Sequence, residues 1–104
     1  MSRYEEVVEK LVAFRHARDW EQFHTPKNLS MGIAIEASEL MQEFLWKNDD
    51  EVAWHIKDKP EKVNDEIADI ASYIFLLSQV LCVTCGSVDI ISFLQSSIRK
   101  NTEK

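Results

Sequence analysis

The sequence contains few of the residues that build loops. Only two glycines and two prolines occur among its 104 residues, which indicates a few long secondary-structure elements in one small domain spanning residues 1–104. Basic residues are also scarce, since 12 Lys and Arg stand against 18 Asp and Glu and give a formal net charge of −6. A nucleic-acid-binding face needs clustered Lys and Arg, so this balance argues against a nucleic acid polymer as partner.

Long apolar runs are missing as well. The most apolar stretch, residues 70–85, is interrupted by polar side chains and falls short of a membrane span. The first ten residues are charged and helical in pattern, so we expect no secretory signal, no membrane partner and a cytoplasmic protein. Cys82 and Cys85 form a C-x-x-C near the end of an apolar helical run, without a second pair. We interpret them as buried structural thiols rather than as a redox or zinc motif.

Apolar residues recur at helical spacing in several segments, and no convincing alternating strand is present. Four helices are predicted, from a capping box at Ser2 to about Arg18, from Pro26 to about Trp46, from Pro60 to Cys85, and from Ser87 onward. Residues 47–59 are polar and are predicted to form a loop with at most one short helical turn. The sequence therefore predicts an all-α four-helix bundle.

Two pairs of acidic residues have unusual positions on these helices. Glu36 and Glu39 border the apolar stripe of the second helix, and Glu66 and Asp69 share the apolar face of the third. Four converging carboxylates cannot all stay charged unless a cation lies between them. Oxygen ligands favour a hard divalent ion, so we predict a Mg²⁺ site, with Mn²⁺ as the other possibility. Glu43, by contrast, is expected on a solvated face.

The third predicted helix also indicates that the protein forms an oligomer. Residues 73–83 are apolar on nearly all sides, and such a helix must be covered on all sides. A four-helix monomer of this length cannot easily do that, so we predict a homo-oligomer.

The blocks that contain these acids resemble the all-α nucleoside triphosphate pyrophosphatases of the MazG-like type. The E-x-x-E and E-x-x-D signature reads Glu36-Ala-Ser-Glu39 and Glu66-Ile-Ala-Asp69. Arg18-Asp-Trp-Glu-Gln-Phe-His24 and Pro26-Lys-Asn-Leu29 resemble the dCTP pyrophosphatase branch of this family. The resemblance covers roughly residues 10–104. It implies a homodimer or homotetramer that binds Mg²⁺ through the four acids, which would also be the catalytic residues.

The resemblance further implies hydrolysis of a nucleoside triphosphate of the dCTP kind to the monophosphate and pyrophosphate, as house-cleaning of the nucleotide pool. Trp20, His24 and Trp46 would surround the nucleobase, Tyr73 would contact sugar or phosphate, and Asn101 would face the phosphates. The residues themselves leave other roles open, because Trp20 and Trp46 would equally suit an interface or core. His24 and Tyr73 would equally suit structural positions.

Two other functions compete with this interpretation. Glu21-Gln-Phe-His24 is an E-x-x-H, the motif of di-iron carboxylate bundles, but it occurs once and is followed by Pro26. A non-catalytic helical oligomerisation module would explain the apolar third helix, although it leaves the inward acids Glu66 and Asp69 unexplained.

Overall fold

A computed structural model of the protein describes residues 2–18, 22, 24–85 and 90–102. Its helices are α1 (Arg3–Ala17), α2 (Pro26–Gln42), α3 (Asp49–Asp58), α4 (Pro60–Cys85) and α5 (Ile90–Thr102). The described residues contain no strand, which confirms the all-α class. The predicted number of four helices was wrong, because α3 occupies the segment that was expected to be a loop. Gly86, Ser87 and the side chains of Cys82 and Cys85 lie outside the described residues, so the predictions made for them stay open.

The predicted starts of α1 and α2 are confirmed by their caps. The Ser2 hydroxyl accepts a hydrogen bond from the Glu5 backbone N–H at 3.1 Å, and the Glu5 carboxylate accepts one from the Ser2 N–H at 3.3 Å. At α2 the Thr25 hydroxyl accepts from the Asn28 N–H at 3.1 Å, and Pro26 takes the first helical position. These local bonds satisfy backbone donors that a helix start would otherwise leave unpaired.

Helix α3 also begins with a capping box, although its composition is polar. The Asn48 side chain accepts from the Glu51 N–H at 2.9 Å, and the Glu51 carboxylate accepts from the Asn48 N–H at 3.1 Å. Acidic residues fill its first turn, and His55 and Lys57 lie in its last turn, an order that complements the helix dipole. The Asn48-x-x-Glu51 pattern was the sequence signal that could have predicted this helix.

Helix α2 ends at Gln42 rather than near Trp46, and the turn that follows places Glu43 against α3 and α4. Its side chain is only 11% exposed, so the predicted solvated position was wrong. Glu43 Oε2 lies 2.7 Å from His55 Nε2, and Glu43 Oε1 lies 3.5 Å from Lys62 Nζ. The hydrogen bond with His55 holds the pKa of Glu43 below its usual range, and Lys62 acts in the same direction. These contacts join the end of α2 to the two helices that follow it.

Helix α4 is the central element, since α1, α2 and α3 all pack on it and α2 does so most extensively. Among the described residues, the buried apolar side chains are Val8, Leu29, Val63 and Leu76. Tyr4 meets Phe75 edge-on, with ring centroids 5.6 Å apart, and so holds α1 against α4.

The protomer partly covers the apolar segment that was expected to need a partner. Residues 73–81 are each buried or half-buried. The large apolar side chains that remain exposed include Met31 and Ile35 on α2 and Leu94 and Ile98 on α5. The homo-oligomer therefore stays a prediction, and these exposed surfaces support it in addition to the half-buried residues within 73–81. No described helix has the length and apolar character needed to cross a membrane.

Candidate active site

Helices α2 and α4 bring together most of the predicted acidic set. One carboxylate oxygen from each of Glu36, Glu39 and Glu66 lies within 4.8 Å of the other two. Glu36 and Glu66 are half-buried, whereas Glu39 and Asp69 are exposed in the single chain, so not all four acids point inward. Asp69 lines the same cavity as Glu36, and its charge raises the pKa of both Glu36 and Glu66. The four acids therefore form one electrostatic cluster.

The carboxylates of this cluster destabilise one another when all are ionised. Burial, as the largest cause, and repulsion from Glu39, Asp69 and Glu66 together raise the pKa of Glu36 to about 7. Burial and the charges of Glu39 and Asp69 also raise the pKa of Glu66. A bound cation would remove this repulsion, because opposite charge favours the ionised form of a carboxyl group.

The residues present fit a divalent metal ion by their chemistry. Oε2 of Glu36 and Oε2 of Glu66 are both buried and lack a hydrogen-bond partner within the described part of the chain. Buried polar atoms are nearly always paired, so two unpaired carboxylate oxygens in one cluster fit a site that binds a cation. The clustered donors are all carboxylates, which suits a hard cation better than zinc.

A close approach between α2 and α4 positions the acids. A Cβ added to Gly32 would lie 2.9 Å from Cε1 of Tyr73, well inside the separation of about 3.5–4.0 Å that carbon atoms prefer. Gly32 lies one helical turn before Glu36, and Tyr73 lies one turn after Asp69. The absence of a side chain at position 32 thus sets the spacing of the helices beside the carboxylates.

Glu36 and Asp69 border a cavity of about 590 Å³ between α1, α2 and α4. Its volume falls in the range of small-molecule sites, roughly 300–1,000 Å³. Most of the surface that faces the cavity is apolar, although several of the lining residues are charged. The lining residues are Val7, Lys10, Leu11, Phe14, Arg15, His24, Glu36, Asp69, Ser72, Tyr73 and Leu76. Arg18 is not among the lining residues, and its guanidinium lies 3.5 Å from the ring centroid of Phe14. The cavity therefore places an apolar space next to a cluster that can hold a metal.

The predicted substrate residues fall into two groups. His24 and Tyr73 line the cavity, as their predicted role requires. Trp46 is 87% exposed and Asn101 is exposed on α5, and neither lines this cavity in the single chain. Trp20 lies outside the described residues. The roles of all five residues stay predictions.

The di-iron alternative gains no support from the part of the structure that is described. Its cluster of possible metal ligands consists of glutamates, without a histidine, and Glu21 lies outside the described residues.

Sequence reasoning missed the contribution of α1. Lys10, Phe14 and Arg15 line the cavity, although none was predicted to be a site residue. Arg15 follows the cavity residue Leu11 by one turn, so a cation aligned with an apolar stripe was the available signal.

Comparison with known proteins decides the family. The family model described as MazG-like matches residues 31–104, which include all four acids. The chain belongs to the MazG-like family. The resemblance inferred from the sequence motifs is thereby confirmed.

Relatives and a solved structure extend this result. The MazG-like chain is 38% identical over 68 residues to dCTP pyrophosphatase 1 of Rattus norvegicus, a match that covers 62% of this chain and 39% of that protein. The human dCTP pyrophosphatase 1 is 35% identical over a match of the same coverage. The match thus spans less than half the length of these curated relatives. The fold is similar to the crystal structure of a pyrophosphatase from Archaeoglobus fulgidus, with a TM-score of 0.86, 32% identity and coverage of 99% of this chain and 92% of the other.

Proposed function

We propose that this MazG-like protein is a Mg²⁺-dependent nucleoside triphosphate pyrophosphohydrolase that converts a deoxycytidine-type triphosphate to the monophosphate and pyrophosphate. The observation that carries the proposal is the convergence of Glu36, Glu39 and Glu66 beside a cavity of about 590 Å³. The names of its relatives, dCTP pyrophosphatase 1 and a pyrophosphatase, support the reaction class.

Each acid has a proposed part in this reaction. Glu36, Glu39, Glu66 and Asp69 would hold Mg²⁺ or, as the alternative, Mn²⁺. The metal would neutralise phosphate charge and make the attacking water more acidic. A carboxylate that keeps one oxygen free would accept the proton of that water, as a general base does. Glu39 is our candidate, because its side chain is exposed and so accessible to water.

The remaining cavity would bind the nucleoside. Tyr73 and His24 line it together with apolar side chains, which suits a flat base that needs both a stacking surface and a few polar contacts. Trp46 projects from the single chain, so in a homodimer or homotetramer it would complete the base site of a partner subunit. Aromatic stacking of this kind contributes about 1–3 kcal/mol per base. The enzyme would clear surplus or modified deoxynucleotides in the cytoplasm.

A pyrophosphate-release screen tests the proposal. The standard nucleoside triphosphates and several modified ones are supplied with Mg²⁺, and dCTP or a 5-substituted dCTP should be hydrolysed fastest. Glu39→Ala and Asp69→Ala should abolish turnover without loss of helix content. Asp65→Ala, which removes the same charge from an exposed position on α4, should retain it. Full activity in the Glu39 and Asp69 variants would remove those residues from the site, and no pyrophosphate from any nucleotide would contradict the function.

A metal-binding experiment separates this enzyme from a non-catalytic helical module. A ligand that binds only the native state raises its stability. Mg²⁺ should therefore raise the melting temperature of the wild type but not that of Glu36→Gln. A module without a metal site would show no such response.

A further inference from the structure

Two basic residues of α1 line the cavity and have no part in the function proposed above. Lys10 is exposed, whereas Arg15 is half-buried on the same wall. The acids Glu36 and Asp69 line the cavity from α2 and α4. A protein with a net charge of −6 therefore places two cations around the space beside its acidic cluster.

Arg15 has a donor that the described protein does not satisfy. Its Nε is buried and has no hydrogen-bond partner among the described residues, and its guanidinium forms no ion pair with Glu36 or Asp69. Leaving a buried charged donor unpaired is costly. Glu36 lines the same cavity, and its Oε2 is buried and unpaired as well. Arg15 and Glu36 therefore line one cavity without bonding each other, and each has an unpaired polar atom that a ligand between them would satisfy.

The chemistry of Arg15 restricts what that ligand can be. A guanidinium carries several N–H donors, has no acceptor and stays charged, so it binds anionic oxygens in preference to other groups. A ligand that also engages a cation held by Glu36 needs further anionic oxygens. A phosphate chain has both sets of oxygens. The apolar part of the lining suits the base and provides no reason for a guanidinium.

We infer that Arg15 binds a phosphate oxygen of the nucleoside triphosphate from the α1 wall of the cavity, while the acids of α2 and α4 hold the metal on the other side. This inference rests on the proposed function and adds to it a phosphate-binding residue. Lys10 is more exposed and adds positive charge to the same wall.

A binding experiment tests the inference without turnover. The four α,β-methylene deoxynucleoside triphosphates are titrated with Mg²⁺ into the wild type, Arg15→Gln, Arg15→Lys and Arg3→Gln by calorimetry. Arg3→Gln is the control, since it removes the same charge from an exposed position of α1 outside the cavity. Arg15→Gln should weaken binding of the preferred triphosphate about 10- to 100-fold, as expected for a hydrogen bond between charged groups. Arg15→Lys should retain more affinity than Arg15→Gln, and Arg3→Gln should bind like the wild type.

The nucleoside without phosphates distinguishes phosphate binding from a structural role. NMR titration measures the millimolar affinities expected for the deoxynucleoside, and these should be the same in the wild type and Arg15→Gln. Equal triphosphate affinity in Arg15→Gln and Arg3→Gln would overturn the inference and leave the proposed function intact. An equal loss of deoxynucleoside affinity would also overturn it, because Arg15 would then shape the base site. Failure of the wild type to bind any of the triphosphates would overturn the inference and the function together.

Discussion

The raised pKa of Glu36 predicts how the stability of the metal-free protein depends on pH. The folded protein has a pKa of about 7 at this carboxyl group, against 4.5 for the ordinary group. Between these values the native state retains a proton that the unfolded chain has released. Stability from this group is therefore fully present below about pH 4.5 and is lost as the pH rises to about 7. Replacing Glu36 with Gln removes the charge at nearly constant shape and should remove this dependence.

The size of the effect follows from the pKa difference and the burial of the side chain. At about 1.4 kcal/mol per pKa unit, the full difference corresponds to roughly 3 kcal/mol. Glu36 is only half-buried and its neighbours can move apart or take up protons, so we expect about 1–2 kcal/mol. For a domain of this size, such a change shifts the melting temperature by about 5–15 °C.

Thermal unfolding in the presence of a chelator measures this prediction. Melting temperatures of the wild type, Glu36→Gln and Glu9→Gln are recorded by far-UV circular dichroism from about pH 5 to about pH 8. Glu9 is an exposed glutamate of α1 and controls for loss of one negative charge. Glu36→Gln should match the wild type near pH 5 and exceed it near pH 8, and added Mg²⁺ should reverse that order. Parallel curves for the wild type and Glu36→Gln across the whole range would refute the electrostatic reasoning.

Three further predictions concern the core, the assembly and the base site. Leu29→Ala should lower the free energy of unfolding by about 2–5 kcal/mol in denaturant titrations, because Leu29 is 1% exposed and its loss leaves a cavity; Met31→Ala, on an exposed position of the same helix, should cost far less. Light scattering at micromolar concentration should show at least a dimer, and a well-folded monomer would contradict the predicted homo-oligomer and any base site shared between subunits. Trp46→Ala should raise KM for the preferred nucleotide more than it lowers kcat, whereas unchanged kinetics would remove Trp46 from the base site.

The features that depend on local periodicity were predictable from the sequence. A helix places residues three and four apart on one face whatever surrounds it, so the pairs Glu36 with Glu39 and Glu66 with Asp69 could be recognised without a structure. The caps at Ser2 and Thr25 are equally local and were confirmed. Family membership followed from these same blocks and was confirmed by the comparison.

The features that depend on contacts between helices were not predictable in this way. Helix α3 has a polar composition, and its position reflects the capping box at Asn48 and the contact of His55 with Glu43. Glu43 contacts His55 and Lys62 because α2 ends at Gln42, four residues before its predicted end near Trp46. Arg15 contributes to the cavity because α1 packs on α4, an arrangement that the sequence of α1 alone does not specify.

The two helices that carry the acids are related by an antiparallel register, and this register explains how the site is held together. The Gly32–Tyr73 approach and the Glu39–Glu66 proximity show that advancing along α2 means going back along α4. The same register places residues of α2 opposite residues of α4 in four successive pairs, which are Leu29 with Leu76, Gly32 with Tyr73, Glu36 with Asp69, and Glu39 with Glu66. In the first two pairs Leu29 and Leu76 are both buried and Gly32 lies close to Tyr73, whereas the last two pairs consist only of carboxylates. Packing at one end therefore holds together charges that repel at the other, and a bound cation would relieve that repulsion without any change in the helix pairing.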